Sequence, residues 1–182
     1  MITVENLRVS FQDKPVLKDL SLTVGQGITC LMAPSGTGKT TLLNAIAGLV
    51  PFEGKIEAGT VSYLFQEDRL LPWLTAKENI MLPEHDSEIA DRLMALFDVA
   101  AFLDKKPQEL SGGMKRRAAL VRCLARIAEN YLLDEPFRGL DEQNALAVKL
   151  VLKELGQTKT VLLVTHDERD AADLGAKIVT LS

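Results

Sequence analysis

The stretch Ala33-Pro-Ser-Gly-Thr-Gly-Lys-Thr-Thr41 decides how the rest of the chain is read. Ahead of it stands Ile28-Thr-Cys-Leu-Met32, a short apolar run with the character of a buried strand. Behind it, Leu42, Leu43, Ala45, Ile46 and Ala47 continue at helical spacing, and Gly48 offers a stop. Strand, glycine loop and helix form the setting in which such a pattern binds phosphate. Gly36 and Gly38 let successive backbone N–H groups converge on one anion where a side chain would obstruct. The helix that follows directs the positive end of its dipole at the same point. Pro34, Ser35, Gly36, Thr37, Gly38, Lys39, Thr40 and Thr41 are therefore the expected phosphate binders. Lys39 reaches the outer phosphates as a point charge, and the Thr40 hydroxyl takes a place on Mg²⁺. The strict pattern begins with Gly; Ala33 stands there instead, and it fits if its φ stays negative.

The 182 residues fit a single domain with a sizeable core. The chain is rich in Leu, Val and Ala but only 5% aromatic, a mix expected of helices packed on a buried sheet. A net charge of −4 supplies no basic field, so nucleic acid is not an expected partner. Cys30 and Cys123 lie in apolar settings and suggest no disulfide framework, which fits a reducing cytosol. No signal peptide and no apolar run near 18 residues is present, so the chain is not expected to cross a membrane.

Ile2, Val4, Leu7, Val9 and Phe11 follow an imperfect period of two. Asp13-Lys-Pro15 reads as a turn, and Val16, Leu17, Leu20, Leu22 and Val24 resume the extended pattern. These are expected antiparallel strands. Val61–Phe65 reads as a strand ending at Gln66, and Pro72 and Pro83 bracket a loop-rich passage with a helical turn near Thr75–Ile80. Ile89, Leu93, Leu96, Phe97 and Ala100 are predicted to share a helix face capped by Asp86 or Ser87. Leu110-Ser-Gly-Gly113 opens another helix, with Leu120, Leu124 and Ile127 on its apolar face and Lys115, Arg116, Arg117, Arg122 and Arg126 on the others. Tyr131–Leu133 leads into Asp134-Glu135-Pro136, a helix follows over 142–155, and Thr160–Thr165 is a continuous apolar strand ending at His166. A short Ala-rich helix and the strand Lys177–Leu181 finish the chain. Continuous apolar strands separated by helices imply a parallel sheet covered on both faces. The fold class is thus α/β, with residues 67–130 a mainly helical lobe set against a core built from 1–66 and 131–182.

Asp134 and Glu135 end an apolar strand, where an open parallel sheet binds its ligands. Asp134 is assigned to the metal and Glu135 to orienting and deprotonating a water, a pairing suited to hydrolysis of a phosphoanhydride. His166, at another strand end, is placed at the γ-phosphate or the water, and Gln66 is a candidate Mg²⁺ ligand.

Read in order, the phosphate loop, Gln66, Leu110-Ser-Gly-Gly-Met114, Tyr131–Pro136, Gly139-Leu-Asp141 and Thr165-His166 resemble the ATP-binding subunits of ABC transporters. The resemblance implies a P-loop NTPase with a mainly parallel central sheet, a small N-terminal antiparallel part and a helical subdomain. It implies a Mg-dependent ATPase using ATP and Mg²⁺, with Lys39, Glu135 and His166 catalytic and Phe11, in place of the usual tyrosine, stacking on adenine. Ser111, Gly112 and Gly113 would cap the ATP held by a second copy, and Asp141 would lie at the seam of that homodimer. Met114 replaces the usual glutamine, which leaves the backbone cradle intact.

The passage Gln66–Asn79 resembles importers of nitrate, sulfonate and taurine, implying a permease partner in the membrane and a solute-binding protein outside it. The chain would then be cytoplasmic, held on the inner membrane face through the permease. Trp73 and its leucine neighbours are either an exposed partner patch or a satellite core beneath the loop. Gln66 follows Lys39 by only 27 residues, which implies a trimmed antiparallel sheet, and the end at Ser182 leaves no room for a regulatory domain. A soluble ATPase of the same type, or a nucleotide-gated scaffold, is the alternative function.

Overall fold

Two strand patterns build two sheets in the structure, a computed structural model that describes residues 1–12, 14–34, 36–82 and 84–181. The alternating N-terminal segments form β1 (Ile2–Phe11) and β2 (Lys14–Val24), paired antiparallel from Ile2–Val24 to Phe11–Lys14. Asp13 lies outside the described residues, while Lys14 and Pro15, expected in the turn, already belong to β2. The continuous apolar run becomes β3 (Gly27–Met32), followed by α1 (Lys39–Ile46) and then β4 (Glu53–Ala58). β4 completes the antiparallel sheet in the order β2-β1-β4. Sequence reading missed this strand, and the reason is physical. It pairs only with β1, its Glu-Gly-Lys-Ile-Glu-Ala run is charged, and only Ile56 and Ala58 turn partly inward.

The second sheet is wholly parallel. Its strands β5 (Val61–Leu64), β6 (Asn130–Asp134), β7 (Thr160–Val164) and β8 (Lys177–Thr180) join β3 in the order β5-β6-β7-β3-β8. β6 and β7 are buried at every position. Alternate residues feed two cores. Leu31, Leu132, Leu162 and Val164 meet α1 and the antiparallel sheet. Cys30, Leu133, Val161 and Leu163 meet the helices on the opposite face.

Those helices are α2 (Ala76–Met81), α3 (Ser87–Leu96), α4 (Gly112–Leu124), α5 (Glu142–Gly156) and α6 (Glu168–Leu174), with short 3₁₀ turns at Ala100–Phe102 and Pro107–Glu109. Thr75 caps α2 in a reciprocal capping box with Glu78, and Asp86 caps α3 by accepting from the Ile89 N–H at 3.0 Å. The buried face of α3 is rotated from the expected one. Ala90, Leu93 and Met94 point inward with the following Phe97, while Ile89, Leu96 and Ala100 are exposed. Full burial of a side chain such as Phe97 contributes about 1.5–3 kcal/mol, so the rotated face is the one that α4 rewards.

Two further expectations on α4 fail. Ile127 lies beyond the helix and is exposed, because α4 ends at Leu124. Arg116, expected off the apolar face, is 2% exposed. Burying a guanidinium is costly unless its donors are satisfied; here carbonyls at the sheet edge take Nη1 and Nη2, while Nε is buried without a partner.

Candidate phosphate and hydrolysis site

Because all five strands of the larger sheet run the same way, their carboxyl ends share one edge. The register sets who meets whom there. Leu31 of β3 and Asp134 of β6 both pair with Val164 of β7, and Leu64 of β5 pairs with Leu133. The loop after β3, the Asp134-Glu135 pair, Thr165-His166 and Phe65-Gln66 therefore leave the sheet side by side.

The loop after β3 bends as its glycines allow. Gly36 and Gly38 have φ of 82° and 92°, in the left-handed region that glycine tolerates. At Gly38 space is a second constraint, since a Cβ there would meet Leu17 Cδ2 at 2.7 Å. The tip of the β1–β2 hairpin thus packs directly on the loop. Ala33 is not among the residues of positive φ, as its replacement of glycine requires. Thr37 Oγ1 donates to the Pro34 carbonyl at 2.8 Å. Lys39 Nζ is folded onto the loop, donating to the carbonyls of Ala33 at 2.5 Å and Pro34 at 2.9 Å. Thr41 follows in the first turn of α1. Ser35 lies outside the described residues.

Thr40 and Asp134 meet across the sheet edge, the Thr40 hydroxyl donating to Asp134 Oδ2 at 2.7 Å. Burial raises the Asp134 pKa above its ordinary value; the Thr40 hydrogen bond opposes that shift, and the Glu135 charge reinforces it. A buried carboxylate beside a hydroxyl is a hard oxygen pair that a small divalent cation would relieve. The pair therefore fits Mg²⁺, which takes few protein ligands and completes its shell from phosphates and water.

Glu135 has φ of 50°, unusual for a residue with a side chain. Its N–H still donates to the Val164 carbonyl at 3.0 Å, so the strand ladder continues as the chain turns. The carboxylate reaches His166 Nδ1 at 3.1 and 3.2 Å. That hydrogen bond, with the Glu135 charge, raises the His166 pKa. The imidazole is otherwise open, with 83% of the side chain exposed. Lys39, Glu135, Thr165, His166 and the Met32–Pro34 segment enclose a cavity of about 370 Å³.

Among the described residues, the remaining predicted ones neither line this cavity nor share a hydrogen bond with its residues. Phe11, at the end of β1, is 45% exposed rather than in the core. Gln66 is exposed two residues beyond β5. Ser111 caps α4, accepting from the Met114 N–H at 3.3 Å, and Gly113 faces the Gly139 carbonyl. Asp141 caps α5 through the Asn144 N–H at 2.8 Å. Trp73 is 65% exposed, as a partner patch requires, whereas its neighbours Leu70, Leu71 and Leu74 are half-buried and Leu70 packs on the core, as a satellite core requires.

Two supports of the site were not read from the sequence. Arg116 donates to the carbonyls of Asp134 at 3.0 Å and Glu135 at 2.5 Å. The buried Thr165 donates to Asp170 at 3.1 Å, and Asp170 pairs with Lys149 at 2.8 Å, which ties the His166 loop to α5 and α6. A basic helix face carries no distinguishing pattern, and Thr165, though part of the Thr165-His166 motif, gave no sign that it would bond to Asp170.

The ABC transporter family profile matches residues 17–138. An aliphatic sulfonates import ATP-binding protein of Rhodococcus jostii is 42% identical, over 94% of this chain and 75% of its own length. One of the same description from Streptomyces avermitilis is 40% identical over 99% of this chain and 76% of its own length. Among solved structures, a dimeric ATP-binding cassette in a post-hydrolysis state bound to ADP and Pi superposes with a TM-score of 0.87. That match has 27% identity and covers all of this chain and 94% of the other.

Proposed function

The chain belongs to the ABC transporter family, and from that premise we propose how its residues share the work of an ATP-hydrolysing import subunit. The observation that carries the reading is the convergence of Lys39, the Thr40–Asp134 pair and the Glu135–His166 pair on one sheet edge. The amides and side chains of residues 34–41 cradle the triphosphate, with Lys39 exchanging its loop carbonyls for phosphate oxygens. Thr40 and Asp134, joined by Gln66, would hold Mg²⁺. When bound, Mg²⁺ neutralises charge on the β- and γ-phosphoryl oxygens. Glu135 accepts a proton from a water as its oxygen bonds to the γ-phosphorus. The bond from that phosphorus to the bridging oxygen breaks, and ADP leaves with the electron pair. His166 holds the Glu135 carboxylate and faces the leaving phosphate. Phe11 stacks on adenine at the rim.

A second copy supplies Ser111, Gly112 and Gly113 to close each site, with Asp141 at the seam. The membrane partner is a permease, met by the exposed Trp73 loop and the groove of about 600 Å³ lined in part by Leu49, Tyr63, Phe65, Leu82 and Arg122. Among the described residues no helix is long and apolar enough to cross a membrane, so the permease provides the attachment to the cytoplasmic face. An external solute-binding protein completes the importer, and the relatives' names point to an aliphatic sulfonate as the solute. Co-expression with a candidate permease tests the reading. Co-purification with Mg-dependent ATPase activity supports it. An active protein that binds no membrane subunit would instead favour the soluble alternative.

A further inference from the structure

Arg116 has no part in the roles assigned above, yet it is the most heavily engaged side chain at the sheet edge. It lies on α4 five residues after Ser111. Nη2 donates to the carbonyls of Asp134 at 3.0 Å and Glu135 at 2.5 Å. Nη1 donates to the Phe65 carbonyl at 2.8 Å and approaches Asp68 Oδ1 at 3.4 Å. The planar guanidinium presents its donors in a rigid fork, so acceptors that share it are held in a fixed mutual arrangement. Glu135 is the residue that needs such holding. Its φ of 50° is a conformation that persists only where its surroundings impose it.

We propose that Arg116 is a positioning residue for hydrolysis: its grip on the Asp134 and Glu135 carbonyls fixes the bend that aims the Glu135 carboxylate at the phosphate cavity. This rests on Glu135 being the base. The same fork holds Phe65 and Asp68, and Arg122 anchors the carbonyls of Asp68 at 2.8 Å and Arg69 at 2.9 Å. The segment around Gln66 thus rides on α4, and a shift of α4 reaches Glu135 through one side chain. Thr40, Lys39 and the loop glycines make no hydrogen bond to Arg116, so the grip on the phosphates should be spared, whereas the proposed metal ligands Asp134 and Gln66 sit on segments it holds; ATP affinity is therefore read without Mg²⁺.

The test compares Arg116→Gln, Arg116→Lys and Glu135→Gln in the full chain, measuring kcat with Mg-ATP and the Kd for ATP without Mg²⁺ on folded protein. Misplacing a reacting group by about 1 Å costs on the order of 10²-fold in rate. Arg116→Gln should therefore lower kcat by about 10- to 100-fold while Kd changes by less than about threefold. Arg116→Lys, which keeps the charge but not the fork, should recover part of kcat, and it carries the test if the glutamine variant does not fold. A normal kcat in either folded variant overturns the proposal, as does a loss confined to Kd. Normal turnover by Glu135→Gln would instead remove Glu135 as the base and leave Arg116 a purely structural residue.

Discussion

At the scale of single residues, neighbouring carboxylates are separated by environment rather than by type. Asp134 is buried against Thr40 and Arg116, a setting that suits binding of a cation. Glu135 is turned out of the strand line towards His166 and the cavity, where a water can reach it. Replacing Glu135 with Gln keeps the shape and removes the proposed base. Its kcat should fall on the order of 10²- to 10⁴-fold, while Mg-ATP binding by calorimetry stays intact. Unchanged turnover would exclude Glu135 from the chemistry. The histidine gives an independent check through pH. Glu135 raises the His166 pKa, so the charged pair is complete below the ordinary histidine value of about 6.5. It is lost as pH rises through the elevated value. An NMR titration should place the His166 midpoint above the ordinary value, and Glu135→Gln should bring it down. Only His85 competes in the spectrum, and a His166→Ala control identifies the signals. A midpoint indifferent to Glu135→Gln would show that another group causes the shift.

At the scale of elements, the best example is the join between β5 and α2. Asn79 is buried in α2, and its Oδ1 accepts from the Leu71 N–H at 2.7 Å. Its Nδ2 donates to the carbonyls of Leu71, Leu74 and Thr75 at 3.2, 3.2 and 2.9 Å. One amide therefore fixes the turn that presents Trp73. Asn79→Ala leaves these backbone groups without a partner in a buried place, so stability should fall by about 2–3 kcal/mol in urea. Basal ATPase per folded molecule should stay close to normal, because α2 is remote from Lys39 and Glu135. A loss below about 0.5 kcal/mol would mean the turn holds itself. The sequence showed α2 and its polar surroundings but not this role, since a buried asparagine looks the same as an exposed one. The same limit explains the other misses. The phosphate loop, the strand-end acids and β6 and β7 were legible because their patterns are local. The face of α3, the buried Arg116 and the charged edge strand β4 depend on what lies opposite, and no spacing rule encodes that. Thus the residues that meet at the sheet edge were named in advance, while the parts that hold them there were not.

At the scale of the molecule, the proposed function divides one chain into two half-sites that would serve different nucleotides. The cavity at Lys39 is lined by Met32, Ala33, Pro34, Glu135, Thr165 and His166, whereas Ser111–Gly113 stand at the start of α4 beside Gly139. In a two-fold pair the phosphate loop of one copy would be closed by the α4 start of the other. That geometry makes a prediction about mixtures of defective chains. Lys39→Ala removes the phosphate grip but leaves the α4 start sound. Gly113→Asp places a negative charge at the α4 start, where a Cβ has ordinary space 3.7 Å from the Gly139 carbonyl, so the fold should tolerate it. Each change is made in a Glu135→Gln chain, so that bound ATP is retained rather than hydrolysed. Alone, each double variant pairs into dimers with no sound site and should retain no labelled ATP through gel filtration. Mixed in equal amounts, about half of the pairs combine one of each, and every such pair contains one site free of both lesions. Retained ATP should then reach about a quarter of that in Glu135→Gln alone. If instead each loop is closed by its own chain, no mixture can join a sound loop to a sound α4 start, and retention will stay at zero.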